Sequence, residues 1–518
     1  VALPPFVISI PGKTMRERTG VIDLGSNTTR LIVMESEPGI CFKLTDEVSE
    51  VVRLAQGVGD SGMLQPGPMQ RAIEALAMFN SFCRATDVSQ VIAVGTSALR
   101  EARNQAEFLE RLAQVSNLQL RVLSTDEEAY YGYLGAVNSL PFSDGFVFDT
   151  GGGSTQVVAV NERRPQRFFS AQAGVVRFTE RYVTSDPVSR RDFKALDQGA
   201  AAIFGELDWF QAQAGQRLIG LGGTVRTLAR IDQKRRNYPF DRSHGYVLSL
   251  EAVEETIEKL RRSNLREREN ISGLNRDRAD VILAGAVIVH QLMHQSGFSE
   301  LMVSGQGLRE GLFYEYFIGG GSPALIDNVR SFSVQNLARI YNYEARHAAH
   351  VRKLSLSLFD QAAALHGYGE WERELLGYAA ILHDIGTRIG YYDHHKHSAY
   401  LVFNSGLLGF DHRELVLLAM LVRNHRKGEA DTREYRSILA ADDPERLARL
   451  SSLLRIAEYL ERSKSQVVED VHLRLEADSV FVDVIANGNA SVEVWDANRR
   501  TNLFKRAFGR DIEIIAPG

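Results

Sequence analysis

Cysteine is almost missing from this chain: Cys41 and Cys83 are the only two in 518 residues. Two cysteines build neither a disulfide framework nor a cysteine-ligated zinc site, and their scarcity fits a reducing compartment. Long hydrophobic runs are missing as well. No stretch approaches the roughly 20 apolar residues needed to span a bilayer, and the longest, 281–289, ends at His290 and reads as a buried helix. A basic surplus is also lacking. The net charge of −5 excludes a globally basic nucleic-acid binder, and local clusters such as Lys234-Arg235-Arg236 read as solvated faces. The opening VALPPFVISIPGKT, before Met15, has neither the charged start nor the cleavage pattern of a signal peptide. These readings predict a cytoplasmic protein without membrane or sequence-specific nucleic-acid partners.

What remains is an ordinary globular composition, 44% hydrophobic and 24% charged. At roughly 150 residues per domain, the length implies three or four domains. The strongest internal signal is a repeat. The stretch FVFDTGGGSTQVVAV (146–160) lands without a gap on VIDLGSNTTRLIVM (21–34). Asp149 falls on Asp23, Gly151 on Gly25, Ser154 on Thr28 and Thr155 on Thr29. Each copy reads as strand, tight turn, strand. Asn27 is expected to supply in the first copy the left-handed backbone that glycine supplies in the second.

After each hairpin, strands alternate with helices: helices around 68–84 and 104–113 in the first half, and around 175–181 and 191–213 in the second. This alternation implies α/β layers, so the expectation is two duplicated α/β domains around a cleft, 15–125 and 126–318. After the glycine-rich 319–323 the texture turns helical, giving a third domain at 324–465. Alternation returns in HLRLEADSVFVDVIA, so a small α/β module is predicted at 466–518, with a helix around 494–508.

Two carboxylate-tipped turns facing one cleft suit a polyphosphate carrying Mg²⁺ or another divalent cation. Backbone N–H groups in a turn cradle anionic oxygens, and glycine removes the Cβ that would keep them away. Mg²⁺ keeps several waters, so one or two carboxylates suffice to hold it; Asp23 and Asp149 are the candidates. A lone triple glycine is equally a flexible loop, and it is the echo with Asp in the same place that favours the phosphate reading. Arg100 follows a strand and a Gly-Thr turn, and a guanidinium fork suits phosphate, although pairing with Glu101 or Glu128 is the plainer alternative. Thr125 and Glu128 fit a helix-capping box.

The motifs DLGSNTTRL (23–31), GTSALREA (95–102), STDEEAYYGY (124–133), DTGGGSTQ (149–156), GLGGTVRTLA (220–229), RADVILAG (278–285) and SGQGLREG (304–311) together resemble the exopolyphosphatase and guanosine pentaphosphate phosphohydrolase family. The resemblance implies an actin-like (ribonuclease H-like) fold in the two α/β domains. It also implies hydrolysis of a terminal phosphate from polyphosphate or from pppGpp, with Glu128 as the general base. Ser26, Asn27, Arg100, Gly151, Gly152, Gly153 and Ser154 would bind phosphate. Gly222, Gly223 and Thr224 match a second-domain glycine turn at the cleft. Gln156 departs from the family's glutamate, which weakens the expected hold on the metal. The resemblance further suggests a homodimer.

Six of the 13 histidines fall between His383 and His425. Residues 347–461 resemble the HD-type helical domain that long family members carry. His350, His383 and Asp384 match the first three metal ligands of that motif, and Glu458 stands where an aspartate is expected. The other reading makes His394, His395, Lys396, His397, Arg423, His425, Arg426 and Lys427 an anion-binding patch. An exopolyphosphatase is the leading expectation. The alternatives are a pppGpp phosphohydrolase, a kinase of the same fold, and a weakly catalytic regulator that binds polyphosphate or (p)ppGpp.

Overall fold

In this computed structural model the described residues are 16–428 and 431–516; the stretch weighed as a signal peptide lies outside them. The chain forms two compact units. The first takes the chain up to Val137, Phe142–Arg235 and Val247–Leu325. The second takes Asn138–Pro141, Arg236–Tyr246 and the chain from Ile326 on. Among the described residues, no helix is long and apolar enough to cross a membrane.

The first unit contains the duplication. One sheet comprises β1 (Glu17–Leu24), β2 (Thr28–Glu37), β3 (Cys41–Val51), β4 (Gln90–Gly95) and β5 (Leu120–Val122), in the order β3-β2-β1-β4-β5. The other comprises β6 (Gly145–Thr150), β7 (Thr155–Asn161), β8 (Arg164–Ala171), β9 (Arg217–Leu221), β10 (Val247–Ser249) and β11 (Glu300–Val303), in the order β10-β11-β9-β6-β7-β8. Apart from the added edge strand β10, the second order repeats the first. In both, two antiparallel pairings precede two parallel ones. β1 and β6 are buried along most of their length, as strands covered on both faces must be.

Three helices deliver residues to the cleft: α1 (Thr125–Val137), α2 (Gly222–Arg235) and α3 (Leu308–Ile318). α1 and α3 approach backbone to backbone, because Gly135 lies against the Gly307 carbonyl and Gly311 against that of Tyr131. A Cβ at either glycine would overlap those atoms. The contact fixes the start of α1, which carries Glu128, relative to the start of α3, which carries Arg309.

The second unit is helical at first: α4 (Val329–Ile340), α5 (Ala345–Gln361), α6 (Glu370–Leu382), α7 (His394–Asn404), α8 (His412–Asn424) and α9 (Asp443–Leu460). The sheet β12-β13-β14 follows, built from Val468–Leu475, Ser479–Ala486 and Asp511–Ile515. Val468, Val480, Val482 and Ile514 share one core with Leu354, Leu376, Leu418 and Leu454, so sheet and helices fold around the same apolar centre. The single helix expected at 494–508 is two, Ser491–Asn498 and Asn502–Phe508. Asn498 pins the break: its side-chain amide donates to the Ile514 carbonyl (2.7 Å) and accepts from the Ile514 N–H (2.9 Å).

Candidate functional site

The two hairpin tips are closed by the same hydrogen bond. Gly25 N–H donates to the Thr28 carbonyl (3.2 Å), and Gly151 N–H donates to that of Ser154 (2.9 Å). The left-handed backbone expected at Asn27 is not adopted, and Gly151, Gly152 and Gly153 keep negative φ as well. The glycines are needed for room instead. A Cβ on Gly152 would stand 2.8 Å from Ser26 Cβ, and one on Gly153 would stand 2.7 Å from Ser97 Oγ. The tips therefore meet across the cleft, where Ser26 Oγ is also 2.9 Å from Ser97 Oγ.

At the strand ends, Asp23 pairs in register with Arg30, and Asp149 with Gln156. The repeat thus places an arginine in one copy where the other has Gln156. The Gln156 amide is buried and donates to Ser154 Oγ (2.8 Å). Neither Gln156 nor Ser154 lines the cleft, whose wall includes Asp23, Ser26, Asn27, Arg30, Glu128, Asp149 and Gly152. Burial raises Asp23 to a pKa of about 6 against the pull of Arg309 and Arg30. It raises Asp149 to about 6 against the pull of Arg226.

The local backbone settles which glutamate faces the cleft. Ser124 Oγ accepts from the Glu127 N–H (3.2 Å), and the Glu127 carboxylate accepts from the Ser124 N–H (2.8 Å). This reciprocal cap uses Glu127, not Glu128, so the capping box read at Thr125 and Glu128 is shifted by one residue and Glu128 is released. Glu128 Oε2 lies 2.7 Å from Arg100, whose guanidinium also donates to the Leu123 carbonyl (3.0 Å). Arg100, expected on phosphate, is held against Glu128 and lies outside the cleft lining. Burial lifts the Glu128 pKa to about 7; Arg100 opposes the rise, while Asp149 and Asp23 add to it.

Four arginines line the same cleft: Arg30, Arg226, Arg278 and Arg309. Burial and mutual repulsion push Arg30 and Arg278 below the usual arginine range and Arg226 down to about 10. Arg309 is raised instead, because Glu310 and Glu47 offset its burial. Arg226 donates to the Gly305 carbonyl (3.0 Å). Gly223 lies directly under the Arg278 guanidinium, and Gly222 (φ 84°) leaves a Cβ only 2.5 Å from Asp149 Oδ1. The glycine turn at 222–223 therefore makes room for charged groups, whereas Thr224 is buried beside Gly285. Sequence reasoning missed these arginines. All four sit inside the motifs DLGSNTTRL, GLGGTVRTLA, RADVILAG and SGQGLREG, and Arg30 also sits at the repeat position of Gln156.

In the second unit the structure brings His383, Asp384 and His425 together with His347, His394 and Glu458. His350, expected as the first ligand, turns away: its Nε2 lies 2.7 Å from the Val468 carbonyl. His347, one helical turn earlier on α5, takes the place instead. His397 is half-buried and outside the group. His394 and His425, read as part of an anion patch, point their ring nitrogens at Asp384.

The first unit is thus a two-lobed, actin-like α/β hydrolase with a carboxylate-and-arginine cleft between duplicated hairpins. The profile of the Ppx/GppA phosphatase family matches residues 32–317, and that of Ppx/GppA phosphatase, domain III, matches 329–489. The chain belongs to the Ppx/GppA phosphatase family and is a phosphoanhydride hydrolase. It is 27% identical over 434 residues, 81% of each chain, to a guanosine-5'-triphosphate,3'-diphosphate pyrophosphatase of Pseudoalteromonas atlantica. An exopolyphosphatase structure from Cytophaga hutchinsonii superposes with a TM-score of 0.54 at 25% identity, covering 59% of this chain and 99% of that one. The Aquifex aeolicus family member gives a TM-score of 0.50 at 29% identity, covering 57% and 96%.

Proposed function

We propose that the cleft hydrolyses the terminal phosphoanhydride of linear polyphosphate, with Glu128 as general base. The observation that carries this reading is Glu128 itself: a mostly buried carboxylate, its pKa raised to about 7, facing a cleft walled by four arginines. A base poised near neutral pH is what proton abstraction from water requires. Glu128 takes the proton as the water oxygen bonds to the terminal phosphorus. The bridging P–O bond breaks, orthophosphate departs, and the chain ends in a new terminal phosphate. Arg30, Arg226, Arg278 and Arg309 offset the charge on the non-bridging oxygens; phosphoryl transfer depends mainly on such positioning and neutralisation. Arg100 acts as a positioning residue that holds Glu128.

The residues present fit a divalent cation. Asp23 Oδ1 is buried without a hydrogen-bond partner, and Asp149 shares the cleft wall with it. Among the described residues, the tight groups of potential metal ligands lie in the second unit rather than here. A magnesium ion held by Asp23 and Asp149 would therefore complete its shell with water and phosphate oxygens, and it would supply charge neutralisation on the transferred group.

Polyphosphate is preferred over pppGpp as substrate because no aromatic side chain is found among the described cleft-lining residues, so a guanine base has no ring to stack on. The pppGpp reading draws its support from the name of the Pseudoalteromonas relative. The acid limb of the pH profile tests the base. A carboxylate whose pKa is raised to about 7 is protonated, and so inactive as a base, below that pH. kcat/KM for phosphate release should fall about tenfold per pH unit below about 7 and level off above it. A limb near 4.5, the ordinary glutamate value, would remove Glu128 from the role.

A further inference from the structure

Two of the four cleft arginines stand between carboxylates. Asp23 on β1 is directly opposite Arg30 on β2, and Arg30 is directly opposite Ser49 on β3. Glu47 lies opposite Ile32, two residues along β2 from Arg30. Side chains alternate along a strand, so Asp23, Arg30 and Glu47 share one face of the sheet, with Arg30 in the middle. Arg309, at the start of α3, comes to the same face: its Nη1 donates to Glu47 Oε1 (3.0 Å). The pair is lopsided. The Arg309 side chain is 7% exposed and that of Glu47 48%, so a half-solvated carboxylate holds a buried guanidinium that lines the cleft.

The other Nη of Arg309 turns to Glu310 Oε1 (3.8 Å), and the second oxygen of Glu310 accepts from the Gly307 N–H (2.8 Å). Partial burial raises Glu47, but Arg309, and after it Arg30 and Arg226, hold it below the usual glutamate range. Burial raises Asp23 too, and of its cationic neighbours Arg309 opposes the rise most and Arg30 next. Yet Asp23 Oδ1 is buried without a hydrogen-bond partner. A buried carboxylate beside guanidiniums ordinarily captures one in a charge-assisted hydrogen bond. Here Arg309 spends its fork on Glu47 and Glu310 instead. The second lobe supplies an internal control. There Gln156 takes the place of Arg30 opposite Asp149, Ser170 that of Ser49, and Phe168, opposite Val158, that of Glu47. The arginine beside the aspartate and the carboxylate beyond it occur together in one copy and are replaced together in the other.

We infer that Glu47 is a positioning residue: it holds Arg309 off Asp23 and so keeps that carboxylate open to a divalent cation. The inference rests on the reading of Asp23 as a cation ligand given above. Glu47 is not among the residues lining the cleft and acts only through Arg309. When Glu47 is made neutral, Arg309 loses its 3.0 Å anchor, and a free carboxylate oxygen awaits it at Asp23. An arginine seated there competes with the cation for the same oxygen.

The test is Glu47→Gln in the full chain, which keeps the side chain's shape and removes its charge. A crystal structure of the ligand-free variant should show Arg309 within hydrogen-bond distance, about 3 Å, of Asp23 Oδ1. In phosphate release from polyphosphate, the Mg²⁺ concentration giving half-maximal rate should rise about tenfold. The rate should recover at high Mg²⁺, which lost packing would not allow. Glu47→Gln/Arg309→Met should bring the Mg²⁺ requirement back towards the wild-type value, because the competing guanidinium is gone. Arg309 staying away from Asp23 in the Glu47→Gln crystal would overturn the proposal. So would an unchanged Mg²⁺ requirement in Glu47→Gln, or one that stays raised in the double variant. If the wild type releases no phosphate from polyphosphate, the substrate reading fails, and the crystal structure alone then decides whether Glu47 holds Arg309 away.

Discussion

Glu128→Gln should lower kcat for phosphate release by about 10²–10⁴, the usual contribution of a general base, without raising KM. The substitution keeps the shape of the side chain, and an amide oxygen can still accept from Arg100 at the 2.7 Å contact. What disappears is the group able to take a proton at neutral pH. It also takes a negative charge away from a cleft that already contains Asp23 and Asp149, both of which raise the Glu128 pKa. An anionic substrate should therefore bind the variant as well as the wild type or better. Steady-state kinetics on polyphosphate separates the two effects. A rise in KM at unchanged kcat would make Glu128 a structural partner of Arg100 and nothing more.

Arg226→Met should weaken polyphosphate binding by about 10- to 100-fold, since a hydrogen bond to a charged group contributes roughly 1.5–3 kcal/mol and each 1.4 kcal/mol is tenfold in affinity. Arg226 is pushed down to about 10 by burial and by Arg30 and Arg309. Crowding four guanidiniums is unfavourable in the empty protein and is relieved when an anion enters. Arg226 is also the principal positive neighbour of Asp149. Its removal should push the Asp149 pKa above about 6, so the Mg²⁺ requirement at pH 6–7 should increase. Titration calorimetry with a short polyphosphate, with and without Mg²⁺, reads both effects. Unchanged affinity would place the substrate away from the arginine wall.

Different parts of this site were legible in the sequence to different degrees, for physical reasons. Asp23 and Asp149 were legible because a duplicated hairpin leaves an ungapped echo, and the sheet orders repeat as that echo implies. Glu128 was ambiguous beside Glu127, because both stand in the first turn of a helix and either can cap. The Ser124 hydroxyl resolves the choice, and it lies one position before the residue considered first. The arginine wall was not legible. The four arginines come from β2, the turn at 276–278, α2 and α3, so only tertiary packing gathers them, and the close α1–α3 contact that places Arg309 involves glycines far apart in sequence. His347 and His350 lie one turn apart on the same helix face, so spacing alone does not choose between them. The choice falls to β12, whose Val468 carbonyl engages His350. Gln156 was marked as the residue that weakens the metal site; in the folded chain its amide is spent on Ser154.

The most direct test of the central claim is kcat/KM for phosphate release from a long polyphosphate and from pppGpp, measured side by side with the same enzyme preparation and saturating Mg²⁺. A cleft lined by carboxylates, arginines and glycines, with no ring to stack a base among its described residues, predicts the higher value for polyphosphate. A clear preference for pppGpp would contradict that reading and place recognition of the guanosine at the centre of this protein's function.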